Sequence, residues 1–232
     1  TPNTTDATGR RYRFGNQPQI AFWNLGQLAR ALVPLVDEAD RPRLQRAGDR
    51  FPRDFSLLHR DSSLRKLGLL GRPDTAAEDD VLLEGLGRLL VSAEIDMPLF
   101  FRHLANVSLA DPAAGFAALR DAYYAPEDVP AEHHNLLGSW LGSYGERAAV
   151  EQVDAGERRR RMNAVNPLYV PRNYVVQLVI DATEKGDRAA LPELLDVLRH
   201  PYEFQPGKER FAEKRPEWAR HRAGCSMLSC SS

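Results

Sequence analysis

The stretch YRFGNQPQIAFWNLGQLARALVPLV, residues 12–36, places the strongest demand on any fold this chain can adopt. After Pro18 the apolar residues Phe22, Leu25, Leu28, Ala29, Leu32, Leu35 and Val36 recur at spacings of three and four. Ile20, Ala21, Trp23, Ala31 and Val33 fill most of the gaps between them. A helix apolar over so much of its circumference needs neighbours on several sides, so the pattern predicts a central, buried helix. Asn16-Gln17-Pro18 suits its start, because proline in the first turn loses no intrahelical bond, and Pro34 should end or kink it near Val33.

The remaining 3.6-period segments point the same way. Residues 37–65 read as one or two amphipathic helices interrupted near Pro52 and ending at Leu67-Gly68-Leu69. Helices are also expected over 79–92, 136–153, 155–166, 174–185 and 191–198, with a short one inside 111–125. Asp96 is placed to cap a helix carrying Pro98 in its first turn, ahead of Phe100-Phe101-Arg102. Residues 1–14 are polar and turn-rich, and 203–222 are charged, with Trp218 as the one large anchor. No segment has a convincing strand period and none repeats, so the expected fold class is all-α.

Composition removes several functions. Hydrophobic residues make up 43% of the 232, enough for a proper core. Lys plus Arg number 31 against 32 Asp plus Glu, and this balance argues against general nucleic-acid binding. No apolar run approaches the roughly 18 residues needed to cross a bilayer, so no membrane partner is expected. His133-His134 has no second ligand pair at metal spacing, and Gly138-Ser139-Trp140-Leu141-Gly142-Ser143 matches neither a phosphate loop nor a nucleophile elbow. Arg158, Arg159, Arg160 and Arg161 fan around a helix behind Asp154 and Glu157. They read as a solvated face with local ion pairs rather than a phosphate contact. Arg172, after Pro171 and among apolar residues, reads as a buried or semi-buried arginine in a structural ion pair or a helix-end hydrogen bond. Cys225 and Cys230 are the only cysteines and both lie in a polar tail. That is no disulfide scaffold, although an accessible terminal thiol suits redox exchange.

Two blocks carry a resemblance. The run TPNTTD…GRRYRFGNQPQIAFWNL over 1–25 resembles the segment after the metal-binding Asp in the selenoprotein O family of kinase-like protein adenylyltransferases. Met162-Asn163-Ala164-Val165-Asn166-Pro167-Leu168-Tyr169-Val170-Pro171-Arg172-Asn173-Tyr174 resembles that family's late NP-x-Y-V-x-R-N motif. Lys66-Leu67-Gly68-Leu69, the Phe-Phe-Arg helix behind its acidic cap, and His200-Pro201-Tyr202 match as well.

The resemblance implies the helical C-terminal lobe of a protein-kinase-like fold, lacking the N-lobe. It implies an activation-segment-like loop over 1–15, the lobe over 16–220 and a flexible tail over 221–232. The complete protein would transfer AMP from ATP, with Mg or Mn, to Ser, Thr or Tyr hydroxyls of protein substrates. The family's catalytic and metal-binding positions match nothing in this chain, so no catalytic, cofactor-binding or metal residue is assigned and the piece alone is expected to be inactive. Its redox site would be Cys230, third from the end. Residues 1–14 contain no cysteine, so the pairing partner is Cys225, lies elsewhere, or the switch is absent. The compartment would be mitochondrial in a eukaryote and cytoplasmic in a bacterium, and the TPNTTD and MLSCSS ends lean toward plant or algal members. The competing reading is a non-catalytic, all-helical protein-interaction module.

Overall fold

The computed structural model describes residues 14–222, 224 and 225; the TPNTTD and MLSCSS ends and Cys230 lie outside them. Among the described residues the architecture is all-helical. The helices are α1 (Gln17–Leu32), α2 (Arg41–Lys66), α3 (Ala76–Val91), α4 (Met97–Leu104), α5 (Gly115–Leu119), α6 (Ala131–Ala149), α7 (Ala155–Val165), α8 (Asn173–Glu184) and α9 (Ala190–Arg199). An isolated antiparallel bridge between Ile95 and Tyr123 is the one β-type pairing among the described residues. The chain divides into two compact units, Thr1–Arg60 with Arg215–Ser232, and Asp61–Lys214.

In the first unit the predicted apolar helix forms, but it is not buried. Asn16 precedes it, proline occupies its first turn, and it ends at Leu32, two residues before Pro34. None of its residues is buried, and Phe22, Trp23, Leu25 and Leu28 are 38–54% exposed. This corrects the expectation of a central core helix. Periodicity reports that a face wants covering and does not say which atoms cover it. Phe22 instead heads a ring column with Phe51, Phe55 and His59, at centroid separations of 6.1, 5.8 and 5.5 Å. In the 203–222 region the buried aromatic is Phe211, not Trp218, which is half-exposed beneath the Arg222 guanidinium.

The break expected at Pro52 is absent: α2 runs 26 residues straight through it. A mid-helix proline removes one N–H donor and crowds the carbonyl four residues back, here that of Gly48. Pro52 is solvent-exposed, so water can satisfy that carbonyl. The end of α2 follows the sequence signal closely. Gly68 takes φ +74, the Leu69 amide donates to Leu64 O at 3.0 Å and the Gly68 amide to Arg65 O at 2.9 Å. These are the two bonds of a left-handed glycine cap, with Leu64 and Leu69 buried behind it. A Cβ at Gly68 would also meet Met162 Cγ at 3.0 Å, so glycine is required there by conformation and by space.

The second unit holds a core built from α3, α4, α5 and α6 with the end of α2. Leu64, Leu67, Leu89, Phe100, Leu104, Leu119, Tyr123, Leu141 and Tyr144 are all fully buried in it. Trp140 stacks on Tyr144 at 5.3 Å and its indole N–H donates to Leu82 O at 3.0 Å, so its polar edge is satisfied inside. The predicted cap forms: the Asp96 carboxylate accepts from the Leu99 amide at 3.1 Å. The Asp154 carboxylate likewise accepts from the Glu157 amide at 2.8 Å.

Candidate functional site

The signature residues of the second unit converge where three helices end. The last four carbonyls of a helix lack intrahelical partners and carry its negative dipole end. At the end of α2, Lys66 O accepts from Asn166 Nδ2 at 2.8 Å; the same amide nitrogen donates to Met162 O, in the last turn of α7, at 2.9 Å. Arg102 Nη1 donates to Asn163 O, Asn166 O and Tyr202 O at 3.2–3.4 Å. Arg158 Nη1 donates to Leu104 O at 3.4 Å and its Nη2 to Val107 O at 2.7 Å, closing the end of α4. Lys66 Nζ donates to Asn166 Oδ1 at 3.2 Å and lies 5.1 Å from the centre of the Phe101 ring.

These contacts place Arg102 and Arg158 against backbone carbonyls and Lys66 against the Asn166 side-chain amide oxygen, none of them against a carboxylate. Burial pushes both Lys66 and Arg102 below their ordinary pKa values. Cations at helix C-termini contribute roughly 0.3–1 kcal/mol each when exposed and up to about 2 when partly buried. The hub therefore has a structural account that calls for no bound anion. It also corrects one expectation. Arg158 is buried and bonded to carbonyls, not part of a solvated face. Arg160 and Arg161 do pair with Glu157, whose carboxyl those bonds hold down at about 2.

Arg172 sits in the ion pair its surroundings predict. It forks onto Asp96 through Nη2 at 2.7 Å and Nε at 3.2 Å, and Tyr124 OH donates to the same carboxylate at 3.3 Å. One carboxylate thus caps α4 and anchors the chain as it enters α8. A third network was not legible beforehand. Arg147 Nε donates to Asp79 Oδ1 at 2.6 Å, Nη1 to Glu151 Oε1 at 2.9 Å and Nη2 to Leu70 O at 2.8 Å, with all three charged side chains at most 4% exposed. Burial alone would push the guanidinium down, but its bonds to Glu151 and Asp79 outweigh that and raise its pKa.

His133 lies in a relay that imitates a nucleophile–base pair. Its Nδ1 is 2.7 Å from Ser92 Oγ and its Nε2 is 2.8 Å from Tyr123 OH. The Ser92 hydroxyl, however, donates to Leu89 O at 2.9 Å. Its oxygen therefore accepts from His133 Nδ1–H, leaving Nε2 to accept from Tyr123; this tautomer follows from the network. A serine whose proton goes to a backbone carbonyl is not being deprotonated by the imidazole, so the trio is structural. Burial, helped by His134, pushes the His133 pKa down. A base with a lowered folded pKa contributes stability that is full above the unfolded value of about 6.5 and is lost as pH falls below it. Stability should therefore fall between pH 7 and 5.5, before most carboxylates titrate. His133→Phe should flatten that slope in urea titrations, while costing about 1–3 kcal/mol at pH 8 because the buried Tyr123 hydroxyl loses its acceptor.

Cys225 is 5% exposed, which removes from it the accessibility that thiol exchange requires, and Cys230 lies outside the described residues. Among the described residues no group of three or more His, Cys, Asp or Glu could hold a metal ion, and no helix is long and apolar enough to cross a membrane. The acids and bases nearest to a catalytic pattern are thus spent on internal bonds.

Comparison with known proteins places this geometry. The family model described as protein adenylyltransferase SelO matches residues 1–199. A protein nucleotidyltransferase YdiU of Aromatoleum aromaticum is 51% identical over 232 residues, covering 100% of this chain and 43% of the relative. The protein of the same name from Rhodopirellula baltica is 50% identical over 243 residues, covering 100% and 44%, and that of Xanthomonas axonopodis pv. citri is 49% identical over 232, covering 100% and 43%. The class these relatives define is nucleotidyl transfer to protein. The chain belongs to the SelO family of protein adenylyltransferases. It spans less than half the length of the curated relatives it matches. These relatives are bacterial, so they lend no support to the lean toward plant or algal members.

Proposed function

We propose that these residues form the non-catalytic, all-helical scaffold of a protein adenylyltransferase, equivalent to the C-terminal lobe of a kinase-like fold. The lobe would cover 16–220, preceded by an activation-segment-like loop and followed by a tail from 221. In a family-length protein of this kind, AMP passes from ATP to a Ser, Thr or Tyr hydroxyl of a protein substrate. The hydroxyl oxygen attacks the α-phosphorus, its proton leaves to a base, and pyrophosphate departs. The observation that carries this reading is the fate of the family-like motifs. Arg102 and Asn166 bind carbonyls at helix ends, Lys66 binds the Asn166 amide oxygen and Arg172 binds Asp96, not an open site. No described cluster of His, Cys, Asp or Glu suits a divalent ion, so nucleotide and metal would be held outside the described residues. The bacterial relatives favour a cytoplasmic setting, and Cys230 is the proposed redox residue of the tail.

One assay tests these points together. A family-length protein carrying this stretch is incubated with labelled ATP, and transfer is followed by mass spectrometry, with the protein reduced in one arm and oxidised in the other. The long protein should gain AMP and the 232-residue chain should not, and oxidation should change the rate while engaging Cys230. Activity in the short chain would overturn the scaffold reading. No transfer by the long protein would leave the interaction module standing. Equal rates with a free Cys230 thiol would remove the redox tail.

A further inference from the structure

The first unit displays a surface that its own described residues do not cover. Helix α1 is apolar around most of its circumference, yet none of its residues is buried. Its face and the facing side of α2 enclose a cleft of about 800 Å³, lined by Phe22, Leu25, Ala29 and Val33 from one side and Leu44 and Gly48 from the other. Gly26 also lines it, and a Cβ at Gly26 or Gly48 would meet nothing within 4 Å, so both backbones can be approached closely. The charges at the cleft, Arg30, Glu38, Arg41 and Asp49, balance. A partner drawn by charge, such as nucleic acid or an acidic peptide, has little to hold there. Contiguous apolar surface of this kind marks an interaction site.

The comparisons say what is available to cover it. Relatives that match the whole of this chain devote only 43–44% of their own length to it. We infer that the cleft between α1 and α2 is an intramolecular docking surface, and that its occupant is an apolar helical or strand segment from the other part of a family-length protein. Filling it would turn α1 into the buried central helix its sequence specifies, with Phe22 and Leu25 against the incoming segment. This rests on family membership and relative length, not on AMP transfer. The test below reads packing alone, so it can fail while the transfer assay succeeds.

Leu25, on the cleft wall and 38% exposed, is replaced by cysteine (Leu25→Cys) in the 232-residue chain and in a family-length protein carrying the same residues. Maleimide labelling at position 25 is then timed by peptide mass mapping, which separates it from other thiols. Labelling should be slower by about ten-fold or more in the long protein, because burial removes access to the thiol. Amide exchange over residues 22–29, measured on both unaltered proteins, should slow in parallel and requires no variant. Equal labelling and equal exchange in the two lengths would overturn the inference. So would slow labelling in the short chain: if dilution relieves it, a second copy is the occupant, and if dilution does not, the chain covers itself.

Discussion

Replacing Arg147 by alanine is expected to cost about 5 kcal/mol, at the upper end of the 3–5 kcal/mol seen when one partner of a buried ion pair is removed. The reason lies in what remains. Asp79, fully buried, would lose its guanidinium partner, Glu151, 4% exposed, would keep Arg161 at 3.6 Å, and Leu70 O would lose its charged donor. Against a typical total of about 5–15 kcal/mol, that loss would unfold much of the population of the second unit. Urea denaturation followed by far-UV circular dichroism measures it. A variant losing under about 1 kcal/mol would show that the triad is not holding α3 to α6.

The Asn166→Asp variant is expected to lose about 3 kcal/mol at pH 7, although the two side chains have nearly the same shape and the new charge would sit beside Lys66. Asn166 is 1% exposed and its Nδ2 serves two carbonyls, Lys66 O and Met162 O. A carboxylate presents only acceptors, so two buried acceptors would face a third oxygen at 2.8–2.9 Å. Each unpaired buried group costs about 1–3 kcal/mol, and the attraction to the half-buried Lys66 offsets only part of that. Asn166→Ala should be no more damaging than Asp, since it removes the donors without adding a repelled charge. Thermal unfolding of the two variants side by side decides it: aspartate at parental stability would mean that Asn166 does not close the two helix ends.

The elements legible in the sequence were those fixed within a few residues. Asp96 as a cap, proline in the first turns of α1 and α4, and glycine after α2 each follow from bonds that span three to five positions. The ion pair of Arg172 was foreseeable in kind, since a buried guanidinium needs an anion, but its partner Asp96, 76 residues away, was not. The four consecutive arginines show the limit. Helical geometry says they point in four directions, but only the packing of α7 against α4 makes the direction of Arg158 the inward one. The relay of His133 to Ser92 and Tyr123 stayed hidden because hydroxyl residues leave no periodic signature. For α1, the sequence reports a demand for burial that the described residues meet only in part.

The hub of helix ends also has a consequence in time. Lys66 meets Asn166 and Arg102 meets Tyr202, each across 100 positions, in an otherwise helical protein whose local contacts form early. Long loops must close before such contacts form, and that closure slows folding. On a ribosome the ends of α2 and α4 would emerge first and wait, their carbonyls held by water, until residues 162–202 arrive. The second unit should therefore lock late and in one step, and a chain cut before Tyr202 would keep its helices while lacking the clasp that makes them one body.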